Sequence, residues 1–209
     1  MRKIVIFGAG DMGQLTLLLL REDGRREVAA FTVERSHLAA AQPCELELVP
    51  FEEVAKSHPP ATHDILIALG PGERNRHRKR LFEAAAGMGY EFASYVHPSA
   101  RVHAASSMGR NCLIYENAVV QPYARLADNV TVRPLSYIGH HVSLGAHSFV
   151  APNASLLGRC STGERCFIAA GAVVGPGIGL GAGTVVGANA SVLGPQADDS
   201  FVPPCTVAR

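Results

Sequence analysis

The sequence predicts two domains of different fold class, a small parallel α/β domain over residues 1–92 and a β-solenoid domain over residues 93–209. In the first range, strand-like apolar runs alternate with helix-like segments, which is typical of a parallel sheet covered by helices. In the second range, an aliphatic residue recurs at every sixth position from Val96 to Val192. Asn or Gly stands three positions after many of these aliphatic residues, where a chain that turns tightly needs them.

The first domain starts with a buried-type strand, Lys3–Phe7, followed by a glycine-rich turn and a helix that continues to about Glu22. The remaining elements are two strands, two helices and a connecting segment, predicted in chain order as a strand at 28–33, a short helix at 51–56, a strand at 64–69, an Arg-rich helix at 73–86, and a lead into the repeat at 91–95.

The glycine-rich turn Gly8-Ala9-Gly10-Asp11-Met12-Gly13 has the Gly-x-Gly-x-x-Gly spacing and lies between a strand and a helix. Backbone N–H groups and the helix dipole can receive a phosphate at such a turn. Glu34 follows Gly13 by 21 residues, at the end of the second strand, where a carboxylate can bond a ribose hydroxyl. This Rossmann-like context predicts a nucleotide or nucleotide-sugar site. A purely structural tight turn and a redox NAD site are the alternatives.

The period of six excludes a helix face, which repeats every 3.6 residues, and a flat strand, which repeats every two. Sixteen of the seventeen hexad positions from Val96 to Val192 are aliphatic, and Thr162 is the exception. Four places after each of the first sixteen positions is a small or β-branched residue, so both series share one face of short strands. We therefore predict a solenoid of short strands joined by corners. The Asn and Gly residues at the corners are Asn111, Asn117, Asn129, Asn153, Gly171, Gly177, Gly183 and Asn189.

The composition excludes several classes of protein. Of the 209 residues, 47% are hydrophobic and 18% are charged, which is incompatible with a disordered chain. The 19 Lys and Arg residues against 18 Asp and Glu residues give a net charge of +1, which argues against a nucleic-acid partner bound through phosphates. Because residues 1–92 hold 25 of these 37 charges, the solenoid is the weakly charged part of the chain.

The sequence also predicts a cytoplasmic protein without a membrane span. The longest apolar runs, at 4–7 and 17–20, are far shorter than the roughly 20 residues that a spanning helix needs. The apolar start of the chain is interrupted at Gly8, too early for the core of a signal peptide. Five cysteines without tight paired spacing indicate reduced, mostly buried thiols; they are Cys44, Cys112, Cys160, Cys166 and Cys205.

From residue 96 to about residue 194, the repeat resembles that of the hexapeptide-repeat family. Members of that family form a left-handed parallel β-helix with three hexads, or 18 residues, in each coil. The resemblance implies a left-handed parallel β-helix for the second domain. Together with the Rossmann-like parallel α/β domain predicted for residues 1–92, this gives a fold of class α/β plus β. The narrow interior of such a coil accepts small aliphatic residues, which agrees with the absence of Trp.

His140 and His141 occupy the two corner positions of one hexad, so we expect both side chains to point outward. At 18 residues per coil, Gly158 stacks on His140, where it removes a side chain and leaves a backbone N–H for a substrate carbonyl or thioester. An imidazole beside such an opening is a candidate general base. His141 is the second candidate catalytic residue, and the alternative for it is that histidine merely tolerates the corner conformation.

The two domains together resemble the sialic acid O-acetyltransferase and bacillosamine N-acetyltransferase family, and the segment 136–150 carries that family's Ile-x-His motif. The resemblance places the catalytic histidine at His140, which would deprotonate a sugar amine or hydroxyl for attack on acetyl-CoA. It implies acetyl-CoA as a co-substrate, no permanently bound cofactor or metal, and a homotrimer with the groove between neighbouring β-helices.

The same resemblance assigns the remaining site residues. Those that line acyl-CoA are placed at Phe149, Gly158, Ala170 and Ala188. Those that bind the nucleotide-linked acceptor are placed at Gly10, Asp11, Met12, Val33, Glu34 and Gly70. The spacing of the glycine-rich turn adds Gly8 and Gly13 to this predicted site.

The sequence departs from the family pattern at four places. His141 replaces the acidic residue that follows the catalytic histidine, and Met12 replaces a histidine often found in the glycine-rich turn. Val33-Glu34 replaces an acidic pair, and the segment 202–206 replaces the usual Gly-x-Pro-Ala ending.

The function predicted from the sequence is an acyl-CoA-dependent N- or O-acyltransferase that acts on a nucleotide-linked sugar. One alternative is a non-catalytic trimeric scaffold that binds nucleotides. Another is a zinc-dependent hydratase of the carbonic anhydrase type, whose candidate ligands are His103, His140, His141 and His147.

Overall fold

The computed structural model describes residues 2–40 and 45–209, so Cys44 lies outside the described residues. The chain forms two compact units. The first comprises Met1–Gly70 and Arg80–Ser94, and the second comprises Pro71–Lys79 and Tyr95–Arg209. The short segment 71–79 therefore belongs to the second unit, although it precedes the last part of the first unit in the sequence.

The first unit contains a four-stranded parallel sheet in the order β3-β2-β1-β4. Its strands are β1 (Lys3–Phe7), β2 (Val28–Val33), β3 (Glu47–Pro50) and β4 (His63–Ile67). The α-helices of the chain are α1 (Asp11–Asp23), α2 (Val54–Ser57) and α3 (Arg76–Gly87), and the 3-10 helices are Arg35–Ala40, Phe51–Glu53 and Gly72–Asn75.

The core of this unit lies between the sheet and its helices. Val5 and Phe7 of β1 are buried together with Ile65 of β4 and Leu81 of α3. The rings of Phe7 and Phe51 meet edge to face, with centroids 4.9 Å apart. Because the four strands are parallel, their carboxyl ends lie together at one edge of the sheet.

Two elements of the first unit differ from the predictions. The strand β3 was not predicted, because it is a short edge strand that ends at Pro50, and a proline gives a weak strand signal. The helix predicted from residue 73 begins at Arg76, because Glu73, Arg74 and Asn75 have φ values of 53°, 51° and 59°. These values lie in the left-handed region and cannot belong to a right-handed helix.

The second unit is a left-handed parallel β-helix built from three sheets of two-residue strands, which confirms the predicted fold class. One sheet contains β7 (Ser107–Met108), β10 (Arg125–Leu126), β13 (Ser143–Leu144), β16 (Ser161–Thr162) and β19 (Gly179–Leu180). The second contains β5 (Tyr95–Val96), β8 (Leu113–Ile114), β11 (Thr131–Val132), β14 (Phe149–Val150), β17 (Phe167–Ile168), β20 (Val185–Val186) and β22 (Phe201–Val202). The third contains β6 (Arg101–Val102), β9 (Val119–Val120), β12 (Tyr137–Ile138), β15 (Ser155–Leu156), β18 (Val173–Val174), β21 (Ser191–Val192) and β23 (Val207–Ala208).

Strands pair with a register of 18 residues, as Arg125 does with Ser143 and Tyr137 with Ser155. The corner turns therefore stack into three edges. The 140 edge contains the turns 121–124, 139–142 and 157–160, the 147 edge contains the turns 127–130, 145–148 and 163–166, and the 170 edge contains the turns 151–154, 169–172 and 187–190.

The two predicted residue series fill the interior of the β-helix, where residues such as Ile138, Val142 and Leu156 are fully buried. Thr162, the exception in the aliphatic series, is also buried, and its Oγ1 accepts a hydrogen bond of 2.9 Å from the N–H of Gly145. The hydroxyl is tolerated inside because it is paired with a backbone donor.

Every corner from Asn111 to Asn189 has a residue with positive φ at its third position, whether or not the residue is Asn or Gly. Tyr123 (64°), Leu135 (62°) and Arg159 (66°) are examples that the composition of the corners did not reveal. The fold imposes the left-handed conformation on whatever residue occupies the corner, at a cost of about 1–2 kcal/mol for an ordinary L-residue.

The β-helix extends past residue 194, where the predicted repeat ends. Val185 pairs with Phe201, sixteen residues later instead of eighteen, so the last coil is two residues shorter and the period of six is lost. The segment 202–206 follows as part of this coil, with Cys205 in a corner at φ 56°. Both strands β22 and β23 are therefore continuations of the sheets.

Cys112, Cys160 and Cys166 are buried free thiols in the β-helix, and Cys205 is an exposed free thiol. Burial raises the pKa of Cys112 and Cys166 to about 11 and that of Cys160 to about 12. These three thiols are packing residues rather than nucleophiles. Among the described residues, no helix is both long enough and apolar enough to cross a bilayer.

We expect Leu135→Asn to stabilise the protein, because Leu135 is 57% exposed and holds a left-handed corner conformation that Asn adopts at lower cost. The expected gain is about 1 kcal/mol. The equivalent corners one coil away on either side are Asn117 and Asn153, so Asn153→Leu is the matched reverse substitution and should lower stability. Thermal unfolding at equal protein concentration measures both effects. A lower midpoint for Leu135→Asn would contradict the prediction.

Candidate active site

The histidine pair lies on the turn between β12 and β13, on the 140 edge. Both side chains are exposed, as predicted, and His141 occupies the corner position with a φ of 58°. The two Nδ1 atoms are 3.3 Å apart, and the rings are nearly perpendicular with centroids 5.4 Å apart. The turn thus brings the two imidazoles into direct contact through one pair of nitrogens.

Gly158 stacks on His140 in the next coil, as the repeat predicts. A Cβ atom at Gly158 would lie 2.5 Å from Nε2 and 2.6 Å from Cε1 of the His140 imidazole. The missing side chain therefore makes room for the imidazole itself, whereas the sequence suggested an opening for substrate. Within the described part of the chain, no backbone carbonyl accepts a hydrogen bond from the N–H of Gly158. An imidazole nitrogen and a backbone donor consequently lie side by side on this edge.

The surroundings of His141 are cationic and aromatic. Its ring lies 4.8 Å from the ring of Tyr123, centroid to centroid. Reduced contact with solvent, followed by the positive charge of Arg159, the neighbouring His140 and the charge of Arg125, lowers the pKa of His141 below its usual value. His141 therefore stays neutral to a lower pH than an isolated histidine.

A depression of about 500 Å³ borders His141 on the side of β10 and β13. Its lining consists of small, hydroxyl-bearing and cationic residues, namely Ala105, Ser107, Tyr123, Ala124, Arg125, His141, Val142, Ser143 and Arg159. Tyr123 and Arg159 were not among the predicted site residues. The 18-residue spacing that singles out Gly158 could have found them, because it places them one coil before and one coil after His141.

Within one chain, the residues predicted to line acyl-CoA do not share one edge of the β-helix. Ala170, which is exposed, and Ala188, which is partly buried, stack in successive turns of the 170 edge, a different edge from that of His140 and Gly158. Phe149 is only 5% exposed, its ring lies 5.5 Å from the guanidinium carbon of Arg78, and it meets Phe167 edge to face.

His147, a candidate zinc ligand from the sequence, is buried on the 147 edge. Burial, followed by the charges of Arg78 and Lys79, lowers its pKa to about 4, and its Nδ1 lies 3.0 Å from Nδ2 of Asn129. Arg78 is fully buried beside it and donates from Nη2 to Oδ1 of Asn129 (3.1 Å) and to Oγ1 of Thr131 (2.8 Å). This polar cluster fixes the segment 71–79 on the β-helix.

Across residues 2–40 and 45–209, no three His, Cys, Asp or Glu side chains are grouped so that they could hold a metal ion. His103, the fourth candidate ligand, is exposed, and its Nδ1 accepts a hydrogen bond of 3.1 Å from the N–H of Ala105.

In the first unit, the predicted acceptor site occupies the carboxyl ends of three parallel strands. The glycine-rich turn follows β1, Glu34 follows β2 and Gly70 lies shortly after β4. Since β1 lies between β2 and β4 in the sheet, the turn lies between the other two loops. Ligands of open parallel sheets bind at this edge.

The glycines of this turn have different reasons to be glycine. Gly8 has a φ of 108°, and a Cβ there would lie 2.8 Å from the carbonyl oxygen of Ala68. A Cβ on Gly13 would overlap the carbonyl oxygen of Gly8. Packing thus accounts for these two residues. A Cβ on Gly10 or Gly70 would have no atom within 4 Å, so both positions expose backbone next to open space.

Glu34 forms an ion pair that the sequence did not predict. Nη1 and Nη2 of Arg80 donate to its two carboxylate oxygens at 2.8 and 2.9 Å. Arg80 belongs to the Arg-rich face of α3, which by sequence alone looks like a solvated surface. The bidentate geometry fixes the position of the Glu34 carboxylate at the end of β2.

Solved structures of other proteins share this architecture over nearly the whole chain. PerB from Caulobacter crescentus, crystallised in complex with CoA and GDP-perosamine, matches with a TM-score of 0.87 and 25% identity, covering 97% of this chain and 94% of that chain. The acetyltransferase domain of PglB from Neisseria gonorrhoeae, in complex with acetyl coenzyme A, matches with a TM-score of 0.86 and 26% identity, covering 98% and 97%. The chain is thus similar in structure and sequence to acetyltransferases that are built on hexapeptide repeats and act on sugars.

A third structure, of lower sequence identity, supports only the fold. WeeI from Acinetobacter baumannii matches with a TM-score of 0.84 at 17% identity, covering 96% of each chain. No model of a known protein family matches the sequence. The resemblance that the repeat and the Ile-x-His segment suggested is thereby confirmed through structure.

The glycine-rich turn of the acyltransferase provides a test of packing. We expect Gly13→Ala to destabilise the protein by about 3 kcal/mol or more, because the new methyl group overlaps the Gly8 carbonyl. Gly10→Ala is the matched control and should change stability by less than about 1 kcal/mol, because its methyl group meets open space. Chemical denaturation measures both. Equal stability of the two variants would contradict the geometry of the turn.

Proposed function

We propose that this chain transfers an acetyl group from acetyl-CoA to an amino or hydroxyl group of a nucleotide-linked sugar, with His140 as the general base. The observation that carries the proposal is the contact of the exposed His140 imidazole with Gly158, which pairs a basic nitrogen with a backbone N–H on one edge. The similarity to proteins crystallised with CoA and GDP-perosamine or with acetyl coenzyme A supports the choice of substrates.

In the proposed reaction, neutral His140 accepts a proton at Nε2 from the acceptor amine or hydroxyl while the acceptor atom attacks the thioester carbonyl. Negative charge develops on the carbonyl oxygen, and the N–H of Gly158 donates a hydrogen bond to it. When the C–S bond breaks, the CoA thiolate takes the proton from the imidazolium. The products are the acetylated sugar and CoA thiol, and His140 returns to its neutral form.

The acceptor nucleotide would bind at the carboxyl edge of the first unit. The open backbone at Gly10 and the start of α1 suit a diphosphate, because N–H groups at a helix start favour negative charge. The Glu34 carboxylate suits a ribose hydroxyl while it remains paired with Arg80. The backbone is also open to solvent at Gly70, which lies after β4 at the same edge of the sheet.

The proposed assembly is a homotrimer, because the two sets of acyl-CoA positions lie on different edges of one β-helix. His140 and Gly158 lie on the 140 edge, and Ala170 and Ala188 lie on the 170 edge. A groove between two neighbouring copies brings the 140 edge of one against the 170 edge of the other, and three copies close such a contact. The proposed location is the cytoplasm, where acetyl-CoA and nucleotide sugars are produced.

Release of CoA thiol in the presence of acetyl-CoA and a panel of nucleotide-linked amino and hydroxy sugars is the direct test of this function. We expect release with at least one acceptor and calorimetric binding of acetyl-CoA to the free protein. A protein that gives no binding heat with acetyl-CoA and no thiol release would be a scaffold, and the proposal would be wrong.

We predict that His140→Ala lowers kcat by about 10² to 10⁴, the usual contribution of a general base, with the fold unchanged. The fold should tolerate this substitution because the His140 side chain is exposed. His97→Ala, which removes another histidine of the β-helix, is the control and should retain activity. Steady-state kinetics measures the activity of both variants, and circular dichroism checks their fold. Full activity of His140→Ala would contradict the assignment of His140 as the general base.

Gly158→Ala should also impair catalysis, because its methyl group would lie 2.5 Å from Nε2 of His140 and displace the imidazole. A displacement of about 1 Å costs roughly 10² in rate. Gly179→Ala is the matched control, since its Cβ would meet only the Ser161 hydroxyl oxygen at 3.7 Å. If both alanine variants had the same kcat as the native protein, Gly158 would have no role in positioning His140.

A further inference from the structure

We infer that His141 is a positioning residue that accepts a hydrogen bond from Nδ1–H of His140, so that a neutral imidazole does what an acidic residue does in the related family. The inference deepens the proposed function and rests on it. The observation behind it is the 3.3 Å distance between the two Nδ1 atoms, on a turn where His141 replaces the acidic residue.

A hydrogen bond between these two nitrogen atoms needs an N–H on one ring and a lone pair on the other. If His140 donates from Nδ1, its Nε2 carries a lone pair, and Nε2 is the atom that lies against Gly158. If His141 donated instead, the Nε2 of neutral His140 would carry the proton and could not act as a base. The geometry of a working site therefore requires His141 to be the acceptor.

The surroundings of His141 favour the neutral form that an acceptor must have. The groups that face it are Arg159 in the turn after β15, Arg125 in β10, His140 on its own turn, and the uncharged ring of Tyr123. Within the described ranges, no carboxylate is among the groups that act on it.

A neutral acceptor and a carboxylate orient the base in the same way but affect its charge differently. A carboxylate beside His140 would favour the imidazolium and raise the pKa of the base. His141 does not carry that negative charge. Replacing it by Glu should therefore move the acidic limb of the pH profile of kcat/KM to higher pH, while activity above that limb is retained.

The chain itself supplies a matched pair of variants for the acceptor. Asn153 and Leu135 occupy equivalent corner positions, with φ values of 58° and 62°, so both Asn and Leu are compatible with this conformation. Asn and Leu have nearly the same shape, but only Asn carries an oxygen that can accept from Nδ1–H. We expect His141→Asn to retain kcat within about tenfold, and His141→Leu to lose about 10² in kcat with little change in KM.

The kinetic outcomes decide the proposal. Native-like activity of His141→Leu, or equal loss in the Asn and Leu variants, would overturn it. The absence of the upward shift of the acidic limb in His141→Glu would also overturn it, because the introduced carboxylate would then not contact His140.

A measurement on the resting protein separates this proposal from the proposed function. Nitrogen-15 NMR of the histidine rings at high pH should show His140 protonated at Nδ1 and unprotonated at Nε2 in the native protein and in His141→Asn. The same ring should lose that preference in His141→Leu. An Nε2-protonated His140 in the native protein would overturn the inference. The expected tautomer in a protein without acetyl transfer would overturn only the proposed function.

Discussion

The left-handed corner is the constraint on which this structure depends. At the third position of every corner turn from Asn111 to Asn189, the backbone adopts a positive φ. Each such corner redirects the chain into the next short strand. Three corners complete a coil, so residues 18 apart lie directly above one another. That stacking, and no long-range loop, brings His140 against Gly158 and places Tyr123 and Arg159 on either side of His141.

The left-handed corners also separate the residues of the interior from those of the edges. The interior consists of small aliphatic residues in register, with isolated hydroxyls such as Thr162 paired to backbone groups. The edges carry the side chains that differ from coil to coil. On the 147 edge, Asn129 and His147 are buried and structural, and Asn129 joins His147 to Arg78 of α3. On the 140 edge, His140 and His141 are exposed, as the proposed catalytic role requires.

Much of the β-helix could be predicted from the sequence, because its repeat of six residues is directly visible in the order of the amino acids. The interior series, the corners and the stacking of Gly158 on His140 all follow from counting residues. The shortened last coil could not be predicted, because a loss of two residues before Phe201 destroys the period. The edge strand β3 and the Arg80–Glu34 ion pair were also beyond reach, since pairing between distant segments leaves no local pattern.

The edge on which His140 lies against Gly158 is the proposed acyl-transfer site. A crystal structure of the protein with CoA tests it most directly. We expect the CoA sulfur to lie next to His140 Nε2 and the Gly158 N–H, in a groove shared with the 170 edge of a second copy. CoA bound in another place, with the 140 edge open to solvent, would contradict it.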